Sequence, residues 1–498
     1  MAPADLLKPT LSIPDAISRD YLEQYLVLPL TLDGGTLRVA TAGTPDPQAL
    51  DDLALLFEAT VETVPVDEDV LRDAIRRAMD ESTSLVELVQ SAETGSDIDG
   101  EVDVGLADAR DLANQPPVIR YVSLLVRDAH AAGASDIHLE STRSGLRVRF
   151  RIDGVLGDAE APPAAMAHAV VSRVKLLADL DIAERRVPQD GRIRVRLEDR
   201  ELDLRVSTMP SLFGESVVLR LLDRGGRPVA LAELGMTPDT LDTFQTLARK
   251  PNGIVLVTGP TGSGKTTTLH AALGLRDGTA EKIVTVEDPV EYQLAGVTQV
   301  PVNQKAGVTF AAALRSVLRQ DPDVVMVGEM RDHETASVAV RAALTGHLVF
   351  SSLHTNDAVS AIARLMDLQV EDYLVASTLE GVLAQRLVRV NCATCAARYR
   401  PDPQAVALLA AKPTGAVTLQ RGRGCGECRE TGFRGRTGIF ELLRFDEELK
   451  ELVTRHPTRG EIQRAATARG MHTMRQDGWV KVQAGITTVE EVLRVTAH

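Results

Sequence analysis

The chain is poor in cysteine, with four in 498 residues, and in aromatic residues, at 3%. Four cysteines are far too few to staple a disulfide-built secreted scaffold, so a reducing compartment is expected. Nowhere do about 18 apolar residues run consecutively, and Met1 to Thr10 holds one Lys and no apolar run of signal-peptide length. A cytoplasmic protein is therefore expected, with membrane contact only indirect, through a partner. Positive charge is in deficit as well: 55 Lys and Arg stand against 70 Asp and Glu, a net charge of −15. Bulk electrostatics give a nucleic-acid partner no help, and none is expected. What is present, 44% hydrophobic and 25% charged residues, is ordinary globular composition and excludes wholesale disorder. At about 150 residues per domain the length implies roughly three domains and excludes a single small binding module.

Residues 1–90 read as a small mixed domain. Ala16 to Leu26 is helical, Val27 to Leu32 and Leu37 to Ala40 are strands joined by the Asp33-Gly34-Gly35 turn, and Val70 to Met79 places Leu71, Ala74, Ile75 and Ala78 on one helical face. Residues 91–111 turn to Gly, Ser and acid, the composition of a self-repelling flexible linker. Residues 112–230 read as an α+β domain rich in Arg, with Arg147, Arg149 and Arg151 on one face of a strand. From 231 to 390 the fully apolar runs Gly253 to Thr258, Ile283 to Glu287, Val324 to Val327 and Leu348 to Leu353 alternate with helical stretches, the pattern of an α/β fold with a mainly parallel sheet buried on both faces. A cysteine-bearing module, 391–435, and a helical region, 436–498, follow.

The most specific motif is Gly259-Pro260-Thr261-Gly262-Ser263-Gly264-Lys265-Thr266, which fits the phosphate-loop template between a strand and a helix. Glycines let backbone N–H groups converge on a small anion, and the helix N-terminus adds partial positive charge. ATP binding is expected across Gly259 to Thr267, with Lys265 on the β and γ phosphates and Thr266 ligating Mg²⁺. Val324 to Glu329 reads as a Walker B strand, and Glu329 is the first choice to activate water; no Asp ends the strand before it to take the usual metal-ligating role. Glu287, closing another strand, is its rival. Cys392-x-x-Cys395 and Cys425-x-x-Cys428 form two knuckles able to close a tetrahedral, structural S₄ site suited to Zn²⁺, redox disulfides or free thiols being the alternatives.

These motifs together resemble the traffic ATPases of the type II secretion and type IV pilus kind. Ile283 to Tyr292 looks like the family's aspartate box, Leu314 to Asp323 like the run into its Walker B strand, and Thr345 to Asn356 like its histidine box. Ser135 to Glu140, Ile182 to Arg192 and Arg205 to Pro210 are similar to its second N-terminal domain. The resemblance implies a RecA-like core behind a PAS-like α+β domain, working as a homo-hexamer. It implies that Arg205, Arg220, Arg315 and Arg319 face the phosphates, where a planar fork suits the charge of phosphoryl transfer. It also implies that His347 and His354 lie by the nucleotide as sensors of the γ phosphate.

Within the family the zinc insert and the short region ahead of the second domain fit the type II secretion branch best, and pilus assembly is the alternative. The Arg-Leu-Gly motif of cyclic-dinucleotide-binding pilus relatives does not occur. The first domain is expected to dock on the cytoplasmic domain of an inner-membrane secretion-platform protein. A DNA-moving motor and a nucleotide-dependent scaffold without hydrolysis are the readings from other classes.

Overall fold

The first apolar helical face finds its partner in a three-stranded sheet. The structure, a computed structural model, describes residues 17, 19–33, 35–43, 45–57, 59–81, 106–197, 200–223, 229–409 and 417–497. Strands β1 (Val27–Asp33), β2 (Thr36–Thr41) and β3 (Thr60–Pro65) lie in that order, β1 antiparallel and β3 parallel to β2. Helix Glu68–Glu81 packs on β1 and on helix Arg19–Tyr25, and Leu22, Val27, Leu28, Leu37, Leu71 and Ile75 are fully buried there. The first helix begins at Arg19, later than expected. The expected linker falls largely outside the described residues; its last six, 106–111, are helical, within Leu106–Ala113.

The Arg-rich segment forms β4 (Ala134–Thr142), β5 (Gly145–Ile152), β6 (Val155–Asp158), β7 (Gln189–Leu197), β8 (Arg200–Ser211) and β9 (Gly214–Asp223), ordered β6-β5-β4-β9-β8-β7 in one sheet. The three arginines of β5 are taken up locally. Arg147 pairs with Asp158 at 2.8 Å, Arg149 with Glu140 at 2.5 Å, and Arg151 donates to the Gly154 carbonyl at 3.0 Å. Under the sheet, Lys175 on helix Ala167–Leu177 is wholly buried, with Nζ 2.7 Å from Glu215 Oε1 and 2.7 Å from the Glu184 carbonyl.

The third sheet comprises β10 (Gly253–Thr258), β11 (Ile283–Glu287), β12 (Val297–Pro301), β13 (Val324–Val327), β14 (Leu348–Leu353) and β15 (Leu379–Asn391), all parallel. The short pair β16 (Ala396–Tyr399) and β17 (Leu419–Gly422) branches off, and β18 (Phe433–Arg444) returns antiparallel to β15, giving the order β12-β11-β13-β14-β10-β15-β18. Every residue of β10 and β14 is buried, as the unbroken apolar runs require. Alternate residues serve opposite faces: Val255 and Val257 join a core with Leu269 and Phe350, whereas Ile254 and Leu256 join one with Val325 and Val349.

The expected helical region 436–498 begins instead within strand β18, which runs to Arg444; helices Glu447–Val453, Arg459–Ala468, Met474–Gln483 and Val489–Thr496 follow it. The described residues pack as two compact units: Met1–Phe150, Leu156–Ile193 and Arg205–Arg220 in one, Arg151–Val155, Arg194–Leu204 and Leu221–His498 in the other. Among them no helix is long and apolar enough to cross a membrane.

Breaking a buried ion pair from one side leaves an uncompensated charge in the core. Glu215→Ala, which strands Lys175, is expected to destabilise the protein by about 3–5 kcal/mol in denaturant titration; a variant as stable as the parent would show that Lys175 has another counter-charge.

Candidate functional site

In a parallel sheet all strands end at one edge, and there β10 runs into the loop Gly259 to Gly264. Gly262 and Gly264 have φ of 79° and 87°, in the left-handed region. The loop is also pressed against strand β15: a methyl group on Gly259 would stand 2.4 Å from the Gln385 carbonyl oxygen and 2.6 Å from Ser263 Oγ, and one on Gly264 2.9 Å from Gln385 Nε2. Glycine is thus required by torsion at one end and by the adjoining wall at the other. Gln385 is itself fixed, its Oε1 accepting from Thr268 Oγ1 at 2.6 Å. Thr261 and Gly262 form the exposed tip, Pro260 is half-buried, and Ser263 is buried.

Helix Lys265–Leu273 springs directly from Gly264 and presents the half-buried Thr266 and Thr267 in its first turn. Lys265 Nζ lies over the loop, donating to the carbonyls of Gly259 at 2.8 Å and Pro260 at 3.1 Å. Burial, followed by the charge of Arg386, pulls the ammonium down to about 8. Polyphosphate would counter both by supplying negative charge that favours the ammonium.

The same edge gathers the ends of β13 and β14. Glu329 is mostly buried and holds His354 Nε2 at 3.0 Å from Oε2, with Arg331 paired to its other oxygen. Its backbone is pinned by neighbours: Gly328 donates to the Val286 carbonyl at 2.9 Å and Met330 to the Ser352 carbonyl at 3.0 Å. Burial, Lys265 and Arg331 all push His354 below the usual imidazole range, so at neutral pH the ring is neutral and able to share a proton with a carboxylate. Thr258 Oγ1, at the end of β10, meets Thr355 Oγ1 at 2.7 Å and ties the histidine-bearing loop to the phosphate loop.

Two expected site residues stand differently. Glu287 is 3% exposed, with Oε1 accepting from Thr285 at 2.6 Å and Gln299 at 2.9 Å and Oε2 facing His270 Nε2 at 3.1 Å. Burial raises its pKa, but these donors outweigh burial and hold it below the usual carboxylate range. It belongs to a buried hydrogen-bonded core network, whereas Glu329 is partly open at the phosphate-loop edge, which corrects the expectation of a rival base. His347 is also a correction. It precedes β14, its backbone carbonyl accepting from Gly253 at the start of β10, and its Nδ1 faces the Ala342 carbonyl at 2.9 Å. Gly253 pairs with Leu348 and Thr258 with Leu353, so a whole strand, about 20 Å at 3.3 Å per residue, separates His347 from the phosphate-loop edge.

The four arginines are held as follows. Arg205 on β8 and Arg220 on β9 sit in the six-stranded sheet, Arg220 Nε donating to Asp136 Oδ1 at 2.9 Å with its side chain 59% exposed. Arg315, on helix Phe310–Val317, is exposed and paired with Glu334. Arg319 bonds the Arg315 carbonyl at 2.9 Å and Ser316 Oγ at 3.2 Å. Gln385, Arg386 and Thr355 were not singled out from the sequence. The available signal was a Gln-Arg pair interrupting the apolar run Val382 to Val388.

The cysteine segment connects β15 to β18. Cys392 follows β15 directly and donates its N–H to the Gly432 carbonyl at 2.9 Å. The sulfurs of Cys392, Cys395, Cys425 and Cys428 all lie within 4.8 Å of one another, with nearest pairs at 3.9, 3.8 and 3.7 Å. At a Zn–S length of about 2.3 Å a tetrahedral S₄ cage has S–S edges of about 3.8 Å, so the donor set fits one such ion. Burial pushes the Cys428 thiol up, but donation from the Gly432 and Cys425 amides and from neighbouring thiols holds it at about 7.

A glycine loop at the carboxyl edge of a parallel sheet, with a lysine over it and a glutamate–histidine pair beside it, defines a phosphate-loop nucleotide-binding α/β protein. Residues 111–494 match the family model described as type II/IV secretion system protein, and residues 3–85 match the MshEN domain. The chain belongs to the type II/IV secretion system protein family. It is 50% identical over 437 residues to the type II secretion system protein E of Pseudomonas aeruginosa, covering 86% of each chain. It is 42% identical over 492 residues to the type IV pilus assembly ATPase PilB of Myxococcus xanthus, covering 97% of this chain and 87% of that one. Among solved structures, the pilus retraction motor PilT with bound ADP is 27% identical with a TM-score of 0.51, covering 75% of this chain and 96% of that one.

Proposed function

We propose that this protein is the ATP-hydrolysing motor of a type II secretion system, a ring of six chains on the cytoplasmic face of the inner membrane that drives pseudopilus assembly and protein export. The observation that carries the reading is the Glu329–His354 pair beside the Lys265 loop at one sheet edge. The 50% identity to a type II secretion protein E supports the secretion assignment. Pilus assembly is the second reading, supported by the 42% identity to PilB.

In the proposed reaction the backbone N–H groups of Gly259 to Thr267, Pro260 excepted, and Lys265 bind the β and γ phosphates; Thr266 would hold Mg²⁺, which would supply charge to neutralise the phosphates. Glu329, oriented by neutral His354, accepts a proton from the attacking water. The water oxygen bonds to the γ phosphorus as the bond to the β–γ bridging oxygen breaks, and ADP leaves with phosphate. Arg205, Arg220, Arg315 and Arg319 neutralise the developing charge, Arg205 and Arg220 from a 112–230 domain that closes over the nucleotide. Residues 1–90 dock on the cytoplasmic domain of an inner-membrane platform protein. Differential affinity of the subunits for ATP and ADP supplies the directed motion. The four cysteines hold one structural Zn²⁺, a role supported by sulfur spacings that match a tetrahedral cage.

Lys265→Ala is expected to abolish ATP turnover, and Glu329→Gln to bind a non-hydrolysable ATP analogue normally while turnover falls about 100-fold or more; phosphate release at the parental rate in either variant contradicts the assignment. Arg205→Ala and Arg220→Ala are expected to slow turnover and leave equilibrium nucleotide binding intact, so a defect confined to binding argues against charge neutralisation. Elemental analysis of purified protein should give one zinc per chain, lost together with thermal stability in a Cys392→Ser, Cys428→Ser double variant; metal-free protein of unchanged stability would remove zinc from the account.

A further inference from the structure

Strand β15 carries a cation sealed beside the phosphate loop. Arg386 is 8% exposed and directly follows Gln385, whose carbonyl forms the wall against Gly259. Its Nη2 donates to Asn356 Oδ1 at 3.0 Å, two residues beyond the histidine that holds Glu329. The next residue, Asp357, accepts from Arg459 Nη2 at 2.7 Å and from the Ser360 amide at 2.7 Å, and its carbonyl accepts from Thr355 Oγ1 at 2.9 Å. The segment His354 to Asp357 is therefore suspended between the phosphate-loop edge, β15 and helix Arg459–Ala468.

The Arg386 charge is near enough to Lys265 to oppose its ammonium, and burial opposes the guanidinium itself, with Asp357 countering. A buried cation beside a half-buried one repels it, and a polyanion within reach of both turns that repulsion into joint attraction. A planar guanidinium has five N–H donors, enough to serve an anion and an amide oxygen together.

We propose that Arg386 is a positioning residue that distinguishes triphosphate from diphosphate: with a terminal phosphate in the loop it divides its donors between that phosphate and Asn356, and so sets the Glu329–His354 pair for attack. With a diphosphate the guanidinium keeps its bond to Asn356 but lacks the phosphate as a second anchor, and the Glu329–His354 pair is not set for attack. This rests on the phosphate-loop reading above.

The test uses the full chain with Mg-ATP turnover and equilibrium binding of ADP and a non-hydrolysable ATP analogue. Arg386→Gln is expected to lower kcat about tenfold or more with little change in KM, to keep ADP affinity, and to lose the preference for the triphosphate analogue. Arg386→Lys is expected to recover that preference and not kcat, because an ammonium lacks the planar fork that aims donors at two partners set apart. Asn356→Ala should lower kcat and keep the preference. Folded Arg386→Gln with parental kcat and preference overturns the proposal, as does an equal loss of ADP and ATP-analogue affinity, the mark of simple loop support. If Arg386→Gln does not fold, Asn356→Ala decides: lowered kcat with the preference kept supports the proposal, and unchanged kcat overturns it. Lys265→Ala separates the two levels. Parental binding by that variant defeats the loop reading itself, whereas lost binding beside an indifferent Arg386→Gln defeats only the role of Arg386.

Discussion

The contact between Gly259 and the backbone of Gln385 is the constraint on which the site depends. A methyl group there would meet the Gln385 carbonyl at 2.4 Å, so the loop can follow its path only while residue 259 has no side chain and β15 stays where it is. That closeness lets a short glycine-rich segment turn its amides inward, and it brings β15's own polar residues to the loop: Gln385 onto Thr268, and Arg386 toward Lys265 and Asn356. The phosphate site is therefore a two-strand construction, with donors on β10 and its helix and a wall on β15.

What steadies the wall explains the cysteines. β15 is paired along its length with β18, from Gly381 with Arg444 to Asn391 with Phe433, and the chain between the two strands is gathered where the four sulfurs converge. A metal held there would close that excursion and fix the register of the strands at their far end. The last helix adds a second brace, since Glu491 accepts from Arg389 Nη2 at 2.9 Å and from Arg494 Nη2 at 2.6 Å. A metal at the cysteines, like the C-terminal helices, would thus bear on the phosphate loop through one strand.

Legibility in the sequence followed the range of the interactions involved. Strands β10, β11, β13 and β14 were readable to the residue because burial on both faces leaves an unbroken apolar run. The loop was readable because its backbone geometry demands glycines at fixed spacing, and the cysteine knuckles because two thiols at i and i+3 are a local device. Glu287 was misjudged because its donors, His270 and Gln299, come from other elements. His347 was misjudged because a motif joins residues that a strand separates: Leu348–Leu353 places His347 and His354 at opposite edges. Arg386 was missed because only the parallel pairing of β15 with β10 brings it near Lys265. Helix Leu106–Ala113 was hidden by an acidic composition continuous with the segment before it.

The most direct test of the two-strand phosphate site is a crystal structure of the full chain with Mg²⁺ and a non-hydrolysable ATP analogue. The account predicts the β and γ phosphates within hydrogen-bond reach of the Gly262 to Thr266 amides and of Lys265 Nζ, with β15 still against Gly259 and Glu329 facing the γ phosphorus. Phosphates bound elsewhere, or a loop that opens away from Gln385 to admit them, would contradict it.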